Sequence, residues 1–171
     1  MVWACFSGAK VGPLIVCKSQ SVNAERYLEI LEHGLVTFVN DLFIPTVESD
    51  MITVTTDDSF LFMYDNVPCH TAVKVTQYLK RRWVPIMKWP AQSPDLNPIE
   101  NLWVSFKERS HERFFYEGRR PSTYQEVLQR CKEILKEVWI AQEMELVKKL
   151  IESMPRRVVA VIAAGEGHTK Y

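Results

Sequence analysis

Two stretches of this chain hold carboxylates in settings suited to chemistry. The first is Tyr64-Asp-Asn-Val-Pro-Cys-His-Thr71, where an apolar run stops at Asp65 and a helical pattern follows. The second is Trp89-Pro-Ala-Gln-Ser-Pro-Asp-Leu-Asn-Pro-Ile-Glu-Asn-Leu-Trp103, a proline-rich loop feeding a helix with Glu100 in its first turn. Active-site carboxylates favour the carboxyl ends of strands, where loops leave a rigid sheet. A helix dipole favours an anion in the first turn. The oxygens of Asp65 and Glu100 suit hard divalent cations such as Mg²⁺. Two such ions about 3.5–4 Å apart stabilise the attacking and leaving oxygens of an in-line phosphoryl displacement.

Each feature also has a purely structural reading. Asp-Asn-x-Pro is a common Asx turn. Asn97-Pro-Ile-Glu100 fits a capping box in which Glu100 reaches back to a backbone N–H, and on local pattern alone that reading outweighs the catalytic one. His70 suits a cap or packing position at a helix start better than a metal ligand. Trp83, Trp89 and Trp103 fit core or loop anchors. The pair shifts the balance, because both carboxylates lie inside extended signatures with residues 66–99 between them.

The elements that must position these residues follow from periodicity. Val2–Phe6 and Val11–Cys17, split by Gly8 and Gly12-Pro13, predict a hairpin. Asn23 caps a predicted helix from about Ala24 to Phe43, ended by Pro45, with Tyr27, Leu28, Leu31, Leu35 and Phe38 among its inward positions. Phe60–Tyr64 reads as a strand buried on both faces, and Ile52–Thr56 with Asp57-Asp58-Ser59 as an extra strand and turn. A helix over about Thr71–Arg82 and a short strand over Val84–Trp89 come next. Asn97 and Pro98 open a helix towards Arg113. Further helical patterns cover Thr123–Trp139 and Glu143–Ser153, followed by Pro155 and an apolar stretch, Val158–Ala164. Strands alternating with helices predict one α/β domain with a helical carboxyl-terminal half.

The bulk numbers bound this picture. The 171 residues suffice for one sizeable core, and 21 Lys+Arg against 21 Asp+Glu leave a net charge of zero. A dedicated DNA-reading module usually has a basic footprint, so neutrality speaks against one but not against a nuclease core with acidic metal ligands. Cys5, Cys17, Cys69 and Cys131 form no CxxC pair, which suggests neither a zinc site nor a disulfide framework. The amino terminus has no cationic region and no long apolar run, so neither a signal peptide nor a membrane span is expected.

The two signatures, in this order and spacing, resemble the second and third acidic motifs of Tc/mariner-type DDE transposases. Met1-Val-Trp-Ala-Cys-Phe-Ser with Gly12-Pro13 is similar to that family's early hairpin, and Ser153-Met-Pro-Arg-Arg157 and Gly167-His-Thr-Lys-Tyr171 to its ending. The resemblance implies a ribonuclease H-like mixed sheet flanked by helices. It also implies three acids that bind two Mg²⁺ or Mn²⁺ ions, hydrolyse DNA at transposon ends and drive attack of the freed 3′-OH on target DNA. Asp65 is then the second acid and Glu100 the third. Asn66 and His70 position Asp65 or contact DNA. Lys74, Lys80, Arg81 and Arg82 offer phosphate contacts or a solvated helix face. Val104, Lys107 and His111 share the Glu100 face, which gives Lys107 a reach to phosphate.

The same resemblance sets expectations of absence. The family's first acid lies on a strand before the hairpin, whereas Glu25 is the first acidic residue here, and no helix-turn-helix region is recognisable. That first strand is central in the sheet, so the hairpin is expected to pair directly with Phe60–Tyr64 or to leave a gap. Two ligands instead of three predict weak metal binding and an inactive isolated chain. DNA is the expected partner, homodimerisation fits the family, and the nucleus is inferred from the substrate. The alternative is a repurposed or relic module that binds DNA or protein without catalysis.

Overall fold

A computed structural model describes residues 1–17, 21–43, 61–90, 93–116, 121–142, 144–165 and 169. They fall into two compact units, one of Met1 and Cys17–Ser93, the other of Val2–Val16 and Pro94–Tyr171. The expected strand at Ile52–Thr56 and the helix stop at Pro45 lie outside the described residues.

In the first unit, Asn23 accepts the Arg26 N–H at 2.9 Å and caps helix α1, Ala24–Ile30. The helix continues through a π-helical turn, Leu31–Val36, into α2, Thr37–Phe43. Tyr27, Leu31, Leu35 and Phe38 are buried, as their spacing predicted, Leu28 is only half-buried, and Ile30 is buried without having been among the expected inward positions. The helix expected over Thr71–Arg82 is α4, Val73–Arg81, and a short helix that was not expected, α3 at Pro68–Thr71, precedes it across a break at Ala72, whose ψ is 139°. Val75 and Leu79 of α4 are fully buried.

The two strands expected in this unit require correction. Of Phe60–Tyr64 and Val84–Trp89, the described residues supply a single parallel bridge, Phe62 with Ile86, and Leu61 is 51% exposed rather than buried on both faces. The backbone explains why. The Val84 N–H is spent on the Leu79 carbonyl at the end of α4, and Pro85 has no N–H to give. Only the Phe62 N–H to Pro85 O bond (2.8 Å) and the Met87 N–H to Phe62 O bond (2.9 Å) remain.

In the second unit, β1 (Val2–Phe6) pairs antiparallel with β2 (Val11–Val16), as expected of the hairpin. The register shifts between Ala4 and Phe6, which sets Gly12-Pro13 opposite Cys5. A bulge tolerates a proline because that position owes no ladder bond. Helix α5, Ile99–Tyr116, follows a 3₁₀ turn at Pro94–Leu96. Thr123 caps α6, Tyr124–Ile140, by accepting the Glu126 N–H. Then come α7, Met144–Glu152, and α8, Met154–Ala164, which ends at Gly165 in the left-handed region. Ala4 and Leu14 of the hairpin share a core with Leu102, Phe106, Val138 and Trp139. The buried Trp139 indole N–H donates to the Gly12 carbonyl at 2.8 Å and its ring stacks on Trp103. Among the described residues no helix is long and apolar enough to cross a membrane.

Candidate active site

Asp65 lies in the first unit, three residues past the Phe62 bridge, and its side chain is half exposed. Its Oδ1 accepts the Val67 N–H at 3.4 Å, a long Asx-type contact, and the His70 Nδ1–H at 2.6 Å. The structural reading of this motif, an Asx-type turn, is therefore observed at the same carboxylate oxygen that His70 meets. Asn66 Nδ2 donates to the Trp89 carbonyl at 2.8 Å, which ties the first motif to the opening residue of the second.

His70 is held on two sides. Its ring stacks on Tyr27 with centroids 4.0 Å apart and meets the Tyr64 ring edge-on at 6.0 Å. Burial pushes the imidazole pKa below its ordinary value, and the neighbouring Asp65 carboxylate opposes that shift without cancelling it. The ring is thus neutral at neutral pH, with its proton on Nδ1 facing Asp65 and a lone pair on Nε2. Sequence reasoning placed Tyr27 in a core. Its role as the platform beneath His70 was invisible, because the two stand 43 positions apart.

The cations around this motif divide into two groups. Lys74 pairs with Glu25, and Arg82 pairs with Glu32 at 2.5 Å while lying over the Tyr78 ring. Both are thus occupied by α1 and its π-helical extension. Lys80 and Arg81 are exposed and form no ion pair among the described residues.

Glu100 lies in the first turn of α5 in the second unit. Asn97 accepts the Ile99 N–H at 3.3 Å and so caps this helix start. Within its unit the exposed Glu100 carboxylate takes part in no hydrogen bond or ion pair, so the reciprocal half of the capping box is not made. Val104, Lys107 and His111 are exposed along the same helix, as the shared face predicted. The loop before α5 is fixed by a residue that sequence reasoning did not single out. Arg157 of α8 is 2% exposed and donates to Asp95 O at 2.8 Å, Asn101 Oδ1 at 2.7 Å and Ser153 Oγ at 2.8 Å. Asp95 Oδ2 in turn accepts the Thr169 N–H.

Among the described residues no three His, Cys, Asp or Glu side chains gather closely enough to hold a metal ion. Taken singly, each within its own unit, the Asp65 and Glu100 carboxylates present oxygens of the kind a hard cation takes, with few protein partners.

A mixed helical and strand architecture with two exposed acidic motifs defines a class, and the comparisons agree with it. The model of the DDE superfamily endonuclease family matches residues 14–120, which contain both motifs, and the chain belongs to that family. It is 34% identical over 171 residues to the transposable element Tcb2 transposase of Caenorhabditis briggsae and to the transposable element Tc1 transposase of Caenorhabditis elegans. Each alignment covers 100% of this chain and 54% of the relative, so the chain spans about half the length of the curated relatives it matches. The Mos1 transposase catalytic domain superposes with a TM-score of 0.72 at 24% identity, over 99% of this chain and 76% of that one. A chain of the Mos1 strand transfer complex gives 0.69 at 23% identity, over 99% and 43%. The fold is therefore that of the Mos1 catalytic domain, the ribonuclease H-like class the motifs led us to expect, although the described residues form a two-stranded antiparallel sheet and one parallel bridge rather than the expected mixed sheet.

Proposed function

We propose that this chain is the catalytic core of a Tc/mariner-type transposase, which cuts DNA at transposon ends and joins the freed 3′-OH to target DNA. The observation that carries this reading is a pair of exposed, lightly partnered carboxylates, Asp65 and Glu100, each inside an extended family signature. Transposases from two nematodes that match along the whole chain support it.

On this reading Asp65 and Glu100 are the second and third acidic ligands. His70 holds one oxygen of Asp65 through Nδ1–H, and Asn66 anchors the adjoining backbone to Trp89. Lys107 and Arg81 offer charge to DNA phosphates. Mg²⁺ or Mn²⁺ bound by the carboxylates supplies Lewis-acid stabilisation of the phosphoryl oxygens. Mos1 catalytic-domain structures with Mn and with Mg support that choice of ion. A metal site that rests on Asp65 and Glu100 alone is weak on this reading, so a polypeptide of residues 1–171 by itself is expected not to turn over. The partner is DNA, met in the nucleus.

The test joins this chain to the amino-terminal region of the Tc1 transposase and assays cleavage of transposon-end DNA with Mg²⁺ or Mn²⁺. Asp65→Asn and Glu100→Gln are each expected to lower the rate by roughly a hundred- to a thousandfold, as for loss of one group that stabilises developing charge. Undiminished cleavage by both variants would refute the assignment. Metal-dependent turnover by residues 1–171 alone, abolished by Asp65→Ala, would refute the expected inactivity.

A further inference from the structure

Helix α4 ends in a manner its sequence does not favour. The Trp83 N–H bonds to Lys80 O at 3.2 Å and the Val84 N–H to Leu79 O at 3.0 Å, the paired bonds of a Schellman cap. The buried Val84 and Leu79 side chains stand at the two positions where such a cap makes its apolar contact. The cap puts Trp83 at the left-handed position with φ 56°, where glycine or asparagine is usual and a bulky side chain is strained. Among the described residues it is the only non-glycine with positive φ.

The indole contributes nothing to the core, since Trp83 is 90% exposed. A large aromatic thus sits where the backbone prefers a small residue and where packing has no use for it. Its surroundings say what the ring is for. Trp83 lines a cleft of about 520 Å³ with Gln77, Lys80 and Arg81. Helix α4 has no acidic residue, and Lys80 and Arg81 form no ion pair among the described residues. A flat exposed ring that shares a cleft with two cations free of ion pairs among the described residues matches the way single-stranded nucleic acid is held, with a base stacked on an aromatic face and phosphates on neighbouring positive charge.

We propose that Trp83 is a stacking platform for an unpaired DNA base, with Lys80 and Arg81 holding the adjoining phosphates. This site goes beyond the proposed chemistry, because it needs neither carboxylate nor metal. Charge complementarity selects DNA over an apolar protein partner, which would bury Lys80 and Arg81 unpaired.

The experiment is fluorescence anisotropy of a labelled oligothymidylate against the full chain in EDTA, beside a duplex of the same length. Trp83→Gly and Trp83→Asn both suit the left-handed position and are expected to fold. Each is expected to weaken single-strand binding by roughly 5- to 150-fold, the range of base–aromatic stacking. Trp83→Phe retains most of the affinity. The Lys80→Ala, Arg81→Ala double variant is expected to flatten the salt dependence by about 1.4 in log–log slope. Unchanged single-strand affinity in folded Trp83→Gly and Trp83→Asn overturns the proposal. Sedimentation in which the wild-type chain dimerises and Trp83→Gly does not also overturns it, because the ring would then serve a second copy.

Discussion

Arg157 Nη2–H donates to Asn101 Oδ1 at 2.7 Å, on the residue that follows Glu100 in α5. The same guanidinium holds the Asp95 carbonyl, so one buried cation fixes both the loop and the helix start that present the acid. Arg157→Met would leave Asp95 O and Asn101 Oδ1 without this donor. It is expected to destabilise the chain by about 3 kcal/mol in urea denaturation, with Arg157→Lys recovering only part, since an ammonium lacks the planar fork. A loss below about 0.5 kcal/mol would show that the clamp is dispensable.

His70 acts on Asp65 through a single bond of 2.6 Å and is itself fixed by Tyr27. Outer groups that orient metal ligands typically contribute 10–100-fold. In the joined protein, His70→Ala is expected to raise the Mn²⁺ concentration for half-maximal cleavage by roughly that factor. An unshifted metal titration would reduce His70 to a packing residue.

Trp139→Phe removes the only indole donor to the Gly12 carbonyl among the described residues, in a buried position. The orphaned carbonyl should cost about 1–3 kcal/mol, read as a lower denaturation midpoint. If a Phe ring is accepted without loss, water reaches that carbonyl in the folded state.

Cys5 gives the pH prediction. Burial pushes its thiol from 9.0 up to about 12. The folded state therefore keeps the proton that the unfolded chain releases, and the contribution to stability is full below pH 9 and declines towards pH 12. The slope is about 1.4 kcal/mol per pH unit for one proton. Thiol titration of the native chain should find Cys5 unreactive at pH 9, where it reacts readily in denaturant. Equal reactivity in both states would contradict the burial.

Trp83→Gly should stabilise the fold by about 1 kcal/mol, because relief of the left-handed strain exceeds the extra entropy of the unfolded glycine chain. Thermal denaturation reads the sign directly, and a lower midpoint would mean that the indole supports α4 after all.

Much of this was legible in the chain itself. The Ala24–Phe43 helix, the hairpin and the α6 and α7 patterns follow from periodicity and caps, which are local. Asp65 and Glu100 could be singled out as candidates because each sits in a long signature, and the family match spans both motifs without assigning either residue a role. What escaped depends on distant partners or on one local detail. Arg157 meets groups 56 and 62 positions away. Pro155, noted only as following the Glu143–Ser153 pattern, stands in the first turn of α8, so the Val158–Ala164 stretch became the later part of a helix. The Val84–Trp89 strand shrank to a bridge because the α4 cap takes the Val84 amide and Pro85 lacks one. Trp83, read as an anchor, points to solvent because αL geometry carries it off the helix end.

The wide turn at Leu31–Val36 also bears on how this helix tolerates change in length. A π turn takes in one residue more than an α turn, and the flanking turns keep their sides. Shortening the segment by one residue, for instance by deleting Gly34, would therefore return it to ordinary α geometry. Tyr27 would stay under His70 and Phe38 would stay inward. An insertion or deletion elsewhere in the helix would instead swing one end by about 100° and pull one of those two rings off its contact.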